Sequence, residues 1–161
     1  MNTSKIQEKV MPIVNKVTSN KYLKAVSDGI AGVMSVIIVG AIFTLIANLP
    51  VGIYQDFIKS SGLGPILNIP ITFTTNLLSL YAVFSIGSKM SESFNCNGPI
   101  AGMLSLLCFL IVTPLAVVEG ASFISFQWLG ATGLFVAIIV GIAVGRLYAA
   151  ITKKGFIIKM P

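Results

Sequence analysis

The placement of charge constrains this 161-residue chain more than any motif in it. No Asp, Glu, Lys or Arg occurs in residues 29–55, 60–88, 93–118 or 120–145, windows of 27, 29, 26 and 26 residues. A helix rises ~1.5 Å per residue, so about 20 mainly apolar residues cross a hydrocarbon layer of about 30 Å. Each window is long enough for that crossing, and no soluble domain needs four of them. Composition agrees: 55% of residues are hydrophobic and 10% are charged, against about 25% charged in average soluble proteins. Mean hydropathy is +0.93.

Hydrocarbon offers the backbone no hydrogen bonds, so spanning segments are helices or a closed barrel. Barrel strands alternate apolar and polar residues. Val36-Ile37-Ile38-Val39 and Val136-Ala137-Ile138-Ile139-Val140 do not alternate, so the chain reads as an all-α, polytopic integral membrane protein. Trimming the windows at turn signals predicts four transmembrane helices at about 29–49, 70–89, 98–118 and 129–150. Pro50 and Gly52 stop the first, and Pro70 suits the first position of the second. Asn97 and Pro99 open the third, which is expected to bend at Pro114.

Nine of the eleven basic residues flank the two ends: Lys5, Lys9, Lys16, Lys21 and Lys24 before the first helix, and Arg146, Lys153, Lys154 and Lys159 at or after the fourth. The positive-inside rule then puts both termini, and the loop with Lys89 and Glu92, in the cytoplasm. The net charge of +6 reads as a topology signal and a contact with anionic lipid headgroups, not with nucleic acid.

Residues 1–28 form a basic, amphipathic segment, with Ile6, Val10, Ile13, Val14 and Val17 at helical spacing and Pro12 interrupting them. The apolar run that follows exceeds a signal-peptide core, and Ala47-Asn48-Leu49 is no cleavage site. Tyr22 and Tyr148 at the inner end, and Tyr54, Phe57 and Trp128 at the outer, suit interfacial aromatic belts. Residues 151–161 form a basic cytoplasmic tail. Cys96 and Cys108 are twelve residues apart, about 18 Å along a helix, so they are expected as free thiols. With no histidine and no paired metal-ligand spacing, no metal site and no cofactor are expected. No P-loop, dinucleotide fingerprint or nucleophile elbow is present either, and no catalytic residue is assigned.

Small and polar residues remain. Gly133, Ala137, Gly141, Gly145 and Ala149 fall four apart and predict a side-chain-poor stripe on the fourth helix, where another helix can approach closely. It reads as ordinary packing within one subunit or as a sliding or oligomer surface. Gly98, Ala101, Gly102 and Ser105 form a shorter version on the third helix. Thr72, Thr74, Thr75 and Asn76 either line a polar pathway or bond to neighbouring helices and their own backbone. Glu119, at the expected water boundary, is read as a surface acid in preference to a functional group.

Several runs resemble a known family. Tyr22-Leu23-Lys24-Ala25-Val26-Ser27-Asp28-Gly29-Ile30, then Ile38-Val39-Gly40-Ala41-Ile42-Phe43 and Ala47-Asn48-Leu49-Pro50, look like the start of the lactose/cellobiose family of sugar permeases. These are the enzyme IIC components of the phosphoenolpyruvate-dependent phosphotransferase system. Residues 128–141, from Trp128 to Gly141, are similar to the family's fourth span. The ending from Lys153 to Pro161 resembles the basic segment after it. Ser35 and Ala41 depart from the proline and serine often found in the first span, and the stretch between matches more loosely.

The resemblance implies the N-terminal scaffold part of a permease for a cellobiose-, lactose- or chitobiose-type sugar, in the plasma membrane of a bacterium. It implies a homodimer in the complete permease and a soluble enzyme IIB partner. It also implies that the sugar-binding residues belong to a second half absent from these 161 residues, so none is assigned here. A truncated or split permease gene is the expectation. The alternative is a stand-alone membrane packing protein without transport activity.

Overall fold

The computed structural model describes residues 20–118 and 120–155. The amphipathic stretch before Asn20, Glu119 and the end of the basic tail lie outside the described residues. Helix α1 spans Lys21–Ala47 and so begins before the expected Gly29. The Asn20 side chain accepts from the Tyr22 amide at 3.0 Å, which caps the helix. Lys21, Lys24 and Asp28 occupy its first turns. A charge marks where the hydrocarbon core ends, but long side chains reach out to water and let the helix continue.

Helix α2, Gly52–Ser61, lies where only a loop was expected. The Tyr54 hydroxyl donates to the Ile46 carbonyl at 2.9 Å, and Gln55 Nε2 donates to the carbonyls of Ala47 and Leu49 at 3.1 and 3.0 Å. These bonds satisfy carbonyls left open at the end of α1. Gly62, at φ 70°, turns the chain into α3, Leu63–Thr75. Pro70 therefore sits inside α3 instead of opening a helix. The start moves to Leu63 because left-handed Gly62 stops α2 there, and Pro65, in the first turn, lacks only an amide that no helix would use. The helix breaks at Asn76 and Leu77 and resumes as α4, Leu78–Glu92.

Asn97 accepts from the Ile100 amide at 3.3 Å and begins α5, Gly98–Val112, with Pro99 in its first turn. That helix does not run to 118 with a bend at Pro114. Thr113 is already extended, at φ −71° and ψ 129°, because the ring of Pro114 disfavours helical backbone in the residue before it. The chain instead forms a β-hairpin, β1 Leu115–Val118 and β2 Ala121–Ile124, with Leu115 opposite Ile124 and Val118 opposite Ala121. An all-helical reading did not include it. A short helix α6, Phe126–Leu129, and a tight 3-10 turn, Ala131–Gly133, then lead into α7, Leu134–Lys153. Extended backbone at Gly130 delays α7 past the expected 129.

Helix α4 is the centre of the bundle. One side of the core joins Val83 to Phe109, Leu129 and Ala137, and the other joins Ala82 and Ile86 to Val33. Large apolar side chains such as Leu45, Met103, Ile111 and Phe135 point outward, as a lipid solvent requires and water does not allow at this scale. Three helical segments, Lys21–Ala47, Leu63–Glu92 and Ala131–Lys153, are long and apolar enough to cross a membrane. Helix α5 has 15 residues and rises only about 22 Å.

The Asn97 cap has a measurable consequence. Asn97→Ala is expected to lower the thermal stability of the detergent-solubilised protein by about 1 kcal/mol, and Asn97→Ser by much less. Equal losses in the two variants would show that the side-chain oxygen contributes nothing.

Candidate functional site

The predicted stripe, which begins at Gly133 in the 3-10 turn and continues along α7, is buried along its whole length. Gly133, Ala137, Gly141, Gly145 and Ala149 all lie inside the bundle, and Ala137 and Ala149 have no exposed surface. The spacing of four keeps one helix face free of bulk, so α4 lies almost against the α7 backbone. A Cβ on Gly145 would sit 2.8 Å from both the Gly87 carbonyl oxygen and Met90 Cβ. On Gly141 it would meet Ile86 Cγ2 at 3.0 Å, and on Gly133 it would run into the Trp128 carbonyl. Ser79 fixes the upper end by donating to the Gly130 carbonyl.

Helices α4 and α5 interlock by a second set of small residues. Gly87 faces Ser105, Gly102 faces Ser88 and the Phe84 carbonyl, and Gly98 faces the Glu92 side chain. Glycine on one helix thus opposes a short or end-of-helix polar group on the other. Ser105 returns its proton to the Ala101 carbonyl at 2.8 Å, which satisfies the hydroxyl locally. Ser88 Oγ is buried without a hydrogen-bond partner.

The threonine cluster splits. Thr74 donates to the Pro70 carbonyl at 2.7 Å and packs on Gly40, a bond back to its own helix. Asn76 lies at the break between α3 and α4, next to Gly130. No group of three or more Cys, Asp or Glu side chains able to hold a metal occurs among the described residues. Cys96 and Cys108 are both free thiols.

Sequence reasoning did not foresee the role of Phe94. It lies in the tight turn between α4 and α5, where Asn95 takes left-handed backbone at φ 59°. Arg146 Cζ lies 4.4 Å from the centre of its ring, Lys21 Nζ 5.1 Å and Lys153 Nζ 5.6 Å. Tyr22 meets the same ring edge-on at 6.3 Å, and its hydroxyl accepts from Arg146 Nε at 3.2 Å. Exposed cation–ring pairs contribute roughly 0.5–1 kcal/mol each. The start of α1, the α4–α5 turn and the end of α7 therefore meet at one end of the bundle. Spacing offered no signal for this, since the partners are far apart in the chain. Beside it, a cleft of about 430 Å³ is lined by Lys21, Lys24, Asp28, Lys89, Glu92 and Ser93. Lys89 and Glu92, one turn apart on α4, pair at its wall at 2.8 Å.

The profile of the family described as "Phosphotransferase system, EIIC" matches residues 27–161. The chain belongs to the EIIC family. It is 32% identical over 169 residues to the lichenan permease IIC component of Bacillus subtilis (strain 168), covering 97% of this chain and 37% of that protein. To the cellobiose-specific EIIC component of Geobacillus stearothermophilus it is 31% identical over 170 residues, covering 97% of this chain and 38% of the relative. The fold matches the crystal structure of ChbC, the IIC component from an N,N'-diacetylchitobiose-specific phosphotransferase system, with a TM-score of 0.85 at 33% identity. That match covers 97% of this chain and 39% of ChbC. The chain thus spans less than two fifths of the length of the relatives it matches.

In this EIIC chain the described carboxylates, Asp28, Asp56 and Glu92, lie near helix ends or in the short helix α2. The interior between them holds no charged side chain among the described residues; its helix crossings are lined by glycine, alanine and hydroxyl groups beside apolar residues such as Val83 and Ile86. It is built to pack helices closely, which is how association is driven when hydrophobicity is not available.

The stripe yields a graded test. Gly145→Ala places a methyl group 2.8 Å from the Gly87 carbonyl oxygen, whereas at Gly141 the methyl meets Ile86 Cγ2 at 3.0 Å and the nearest backbone atom, the Val83 carbonyl oxygen, only at 3.3 Å. Gly145→Ala is expected to cost about 1–3 kcal/mol, Gly141→Ala less, and Gly141→Leu more than Gly141→Ala. Ala143→Leu, on the exposed face, is the control. Equal detergent stability of all four would remove the stripe as an interface.

Proposed function

We propose that this chain is the N-terminal scaffold part of an EIIC sugar permease, which in complete form passes a cellobiose-, lactose- or chitobiose-type sugar inward for phosphorylation. The observation that carries this reading is the match of residues 27–161 to the EIIC family together with the ChbC fold. Its relatives include permeases named for lichenan and cellobiose, which supports a sugar of that type. In the complete permease we assign the scaffold a homodimer and a soluble EIIB partner that supplies the phosphoryl group. Positioning a sugar hydroxyl against such a partner needs oriented polar groups, and the packed interior of this bundle offers none with charge.

For topology we propose four spans with both termini on the cytoplasmic face of a bacterial plasma membrane. Two features support this. The basic flanks of α1 and α7 gather at one end, around Phe94, and cations concentrate on the cytoplasmic side. An even number of crossings is required to return the chain there, so α5, although short, is assigned as a span with the hairpin after it reaching the outer interface.

Uptake measurements test the functional reading. In cells lacking related permeases but supplied with the soluble phosphotransferase components, the 161-residue chain is expected to give no phosphoenolpyruvate-dependent uptake of cellobiose, chitobiose or lactose above background. Co-expression with the remaining segment of a cellobiose-type EIIC is expected to restore it. Saturable uptake by the chain alone, or failure of the two parts to associate, overturns the scaffold reading.

Topology has its own test. Cys96, half-buried in the α4–α5 turn, is expected to resist a membrane-impermeant thiol reagent in right-side-out vesicles and to react in inverted ones, with Cys108 replaced by serine. The opposite pattern inverts the orientation.

A further inference from the structure

Three cations converge on Phe94, and none of them forms an ion pair among the described residues. Lys21 Nζ, Arg146 Cζ and Lys153 Nζ each lie within 5.6 Å of one ring centre, so no two are further apart than twice that distance. Among the described residues the one ion pair is Lys89–Glu92; Asp28 and Glu92 share the neighbouring cleft with Lys21 but pair with none of the three. A ring quadrupole attracts each cation weakly and does nothing to screen them from one another. Like charges gathered around one ring repel one another, and an anion bound among them would turn that repulsion into attraction.

The geometry also says what kind of anion. The three side chains project from the first turn of α1 and the last turns of α7, where apolar helix gives way to polar chain. Tyr22, typical of a membrane interface, holds Arg146 by its hydroxyl at 3.2 Å. Arg146 still has guanidinium donors free for a bidentate contact with phosphate oxygens. Below them the outer faces of α1 and α7 carry exposed Leu23, Ile30 and Leu147, suited to acyl chains.

We propose that Lys21, Arg146 and Lys153, arranged around Phe94, form a specific site for the phosphate of an anionic phospholipid headgroup. The site clamps the start of α1 to the end of α7 through a bound lipid and so closes the bundle at that end. The inference rests on the membrane-spanning reading of the helices and is independent of sugar transport, so its test uses no uptake assay.

The probe is phosphatidylglycerol retained by the purified 161-residue chain in native mass spectrometry, with thermal unfolding measured in parallel in nanodiscs of phosphatidylcholine with and without phosphatidylglycerol. Wild type is expected to retain phosphatidylglycerol over phosphatidylcholine and to unfold at higher temperature when it is present. Each of Lys21→Gln, Arg146→Gln and Lys153→Gln is expected to lower retention roughly fivefold, the equivalent of about 1 kcal/mol per cation near the surface. Phe94→Leu, which keeps apolar bulk and removes the ring, should weaken retention by scattering the cations, while Lys59→Gln, in α2, should not change it. Inorganic phosphate competing at millimolar concentration without loss of the phosphatidylglycerol preference fits the site. Wild-type stability and retention equal in both lipids would overturn the proposal even if every variant misfolds. Loss in Lys59→Gln as large as in Arg146→Gln would reduce it to nonspecific charge attraction. Saturation by inorganic phosphate with no lipid preference would make it a soluble-anion site.

Discussion

Two consecutive residues of α4, Ile86 and Gly87, hold three other helices in place. Ile86 fills the gap left by Gly29 on α1 and by Gly141 on α7, and Gly87 lies between Ser105 of α5 and Gly145 of α7. A Cβ on Gly29 would reach Ile86 Cγ1 at 2.6 Å and its Cα at 2.8 Å, which is backbone contact. In water such an arrangement would be driven by expelling solvent from apolar surface. In lipid the surroundings are as apolar as the helices, so shape complementarity and van der Waals contact have to supply the attraction. That is why glycine recurs where helices cross and why bulky side chains are spent on the outside.

The same constraint governs the polar groups. Thr44, Thr74, Ser105 and Thr113 each donate to the carbonyl four residues earlier, at 2.7 to 2.8 Å. Ser79 instead crosses to the Gly130 carbonyl, tying α4 to the segment before α7. Gln55 and Tyr54 close the open carbonyls of α1 from outside. Such local satisfaction leaves little hydrogen-bonding capacity free inside the bundle, and Ser88 is the described exception.

Much of this was legible in the residues, for identifiable reasons. Charge-free windows locate where hydrocarbon begins and ends, and the four-residue spacing from Gly133 to Ala149 marks a face without bulk. Windows of charge do not locate helix ends. Lys21, Lys24 and Asp28 are helical because their side chains reach water from helical backbone, while Leu115 to Val118 are apolar and yet extended because Pro114 has already diverted the chain. Within the charge-free window 60–88 a single helix was expected at about 70–89, but Asn76 and Leu77 break it, and nothing in local composition distinguishes a broken helix from a continuous one. Helix α2 was missed because its role is to cap α1, a tertiary bond made by Tyr54 and Gln55. The stripe was visible as a pattern, whereas its partners Ile86, Gly87 and Met90 follow only from the fold.

The packed interior and the charged end of the bundle differ in how far they can adjust. Close glycine contacts admit few alternative arrangements, since a helix resting on backbone cannot slide without meeting a side chain. Rigid packing of that kind is what the proposed scaffold role requires. Adjustable chemistry is confined to the end where Lys21, Arg146 and Lys153 surround Phe94, and to the neighbouring cleft with its Lys89–Glu92 pair. Interactions there are exposed, weak one by one and sensitive to ions and lipids. The bundle therefore draws its shape from contacts that the surroundings cannot alter and keeps its responsiveness at the surface, where the membrane composition can reach it.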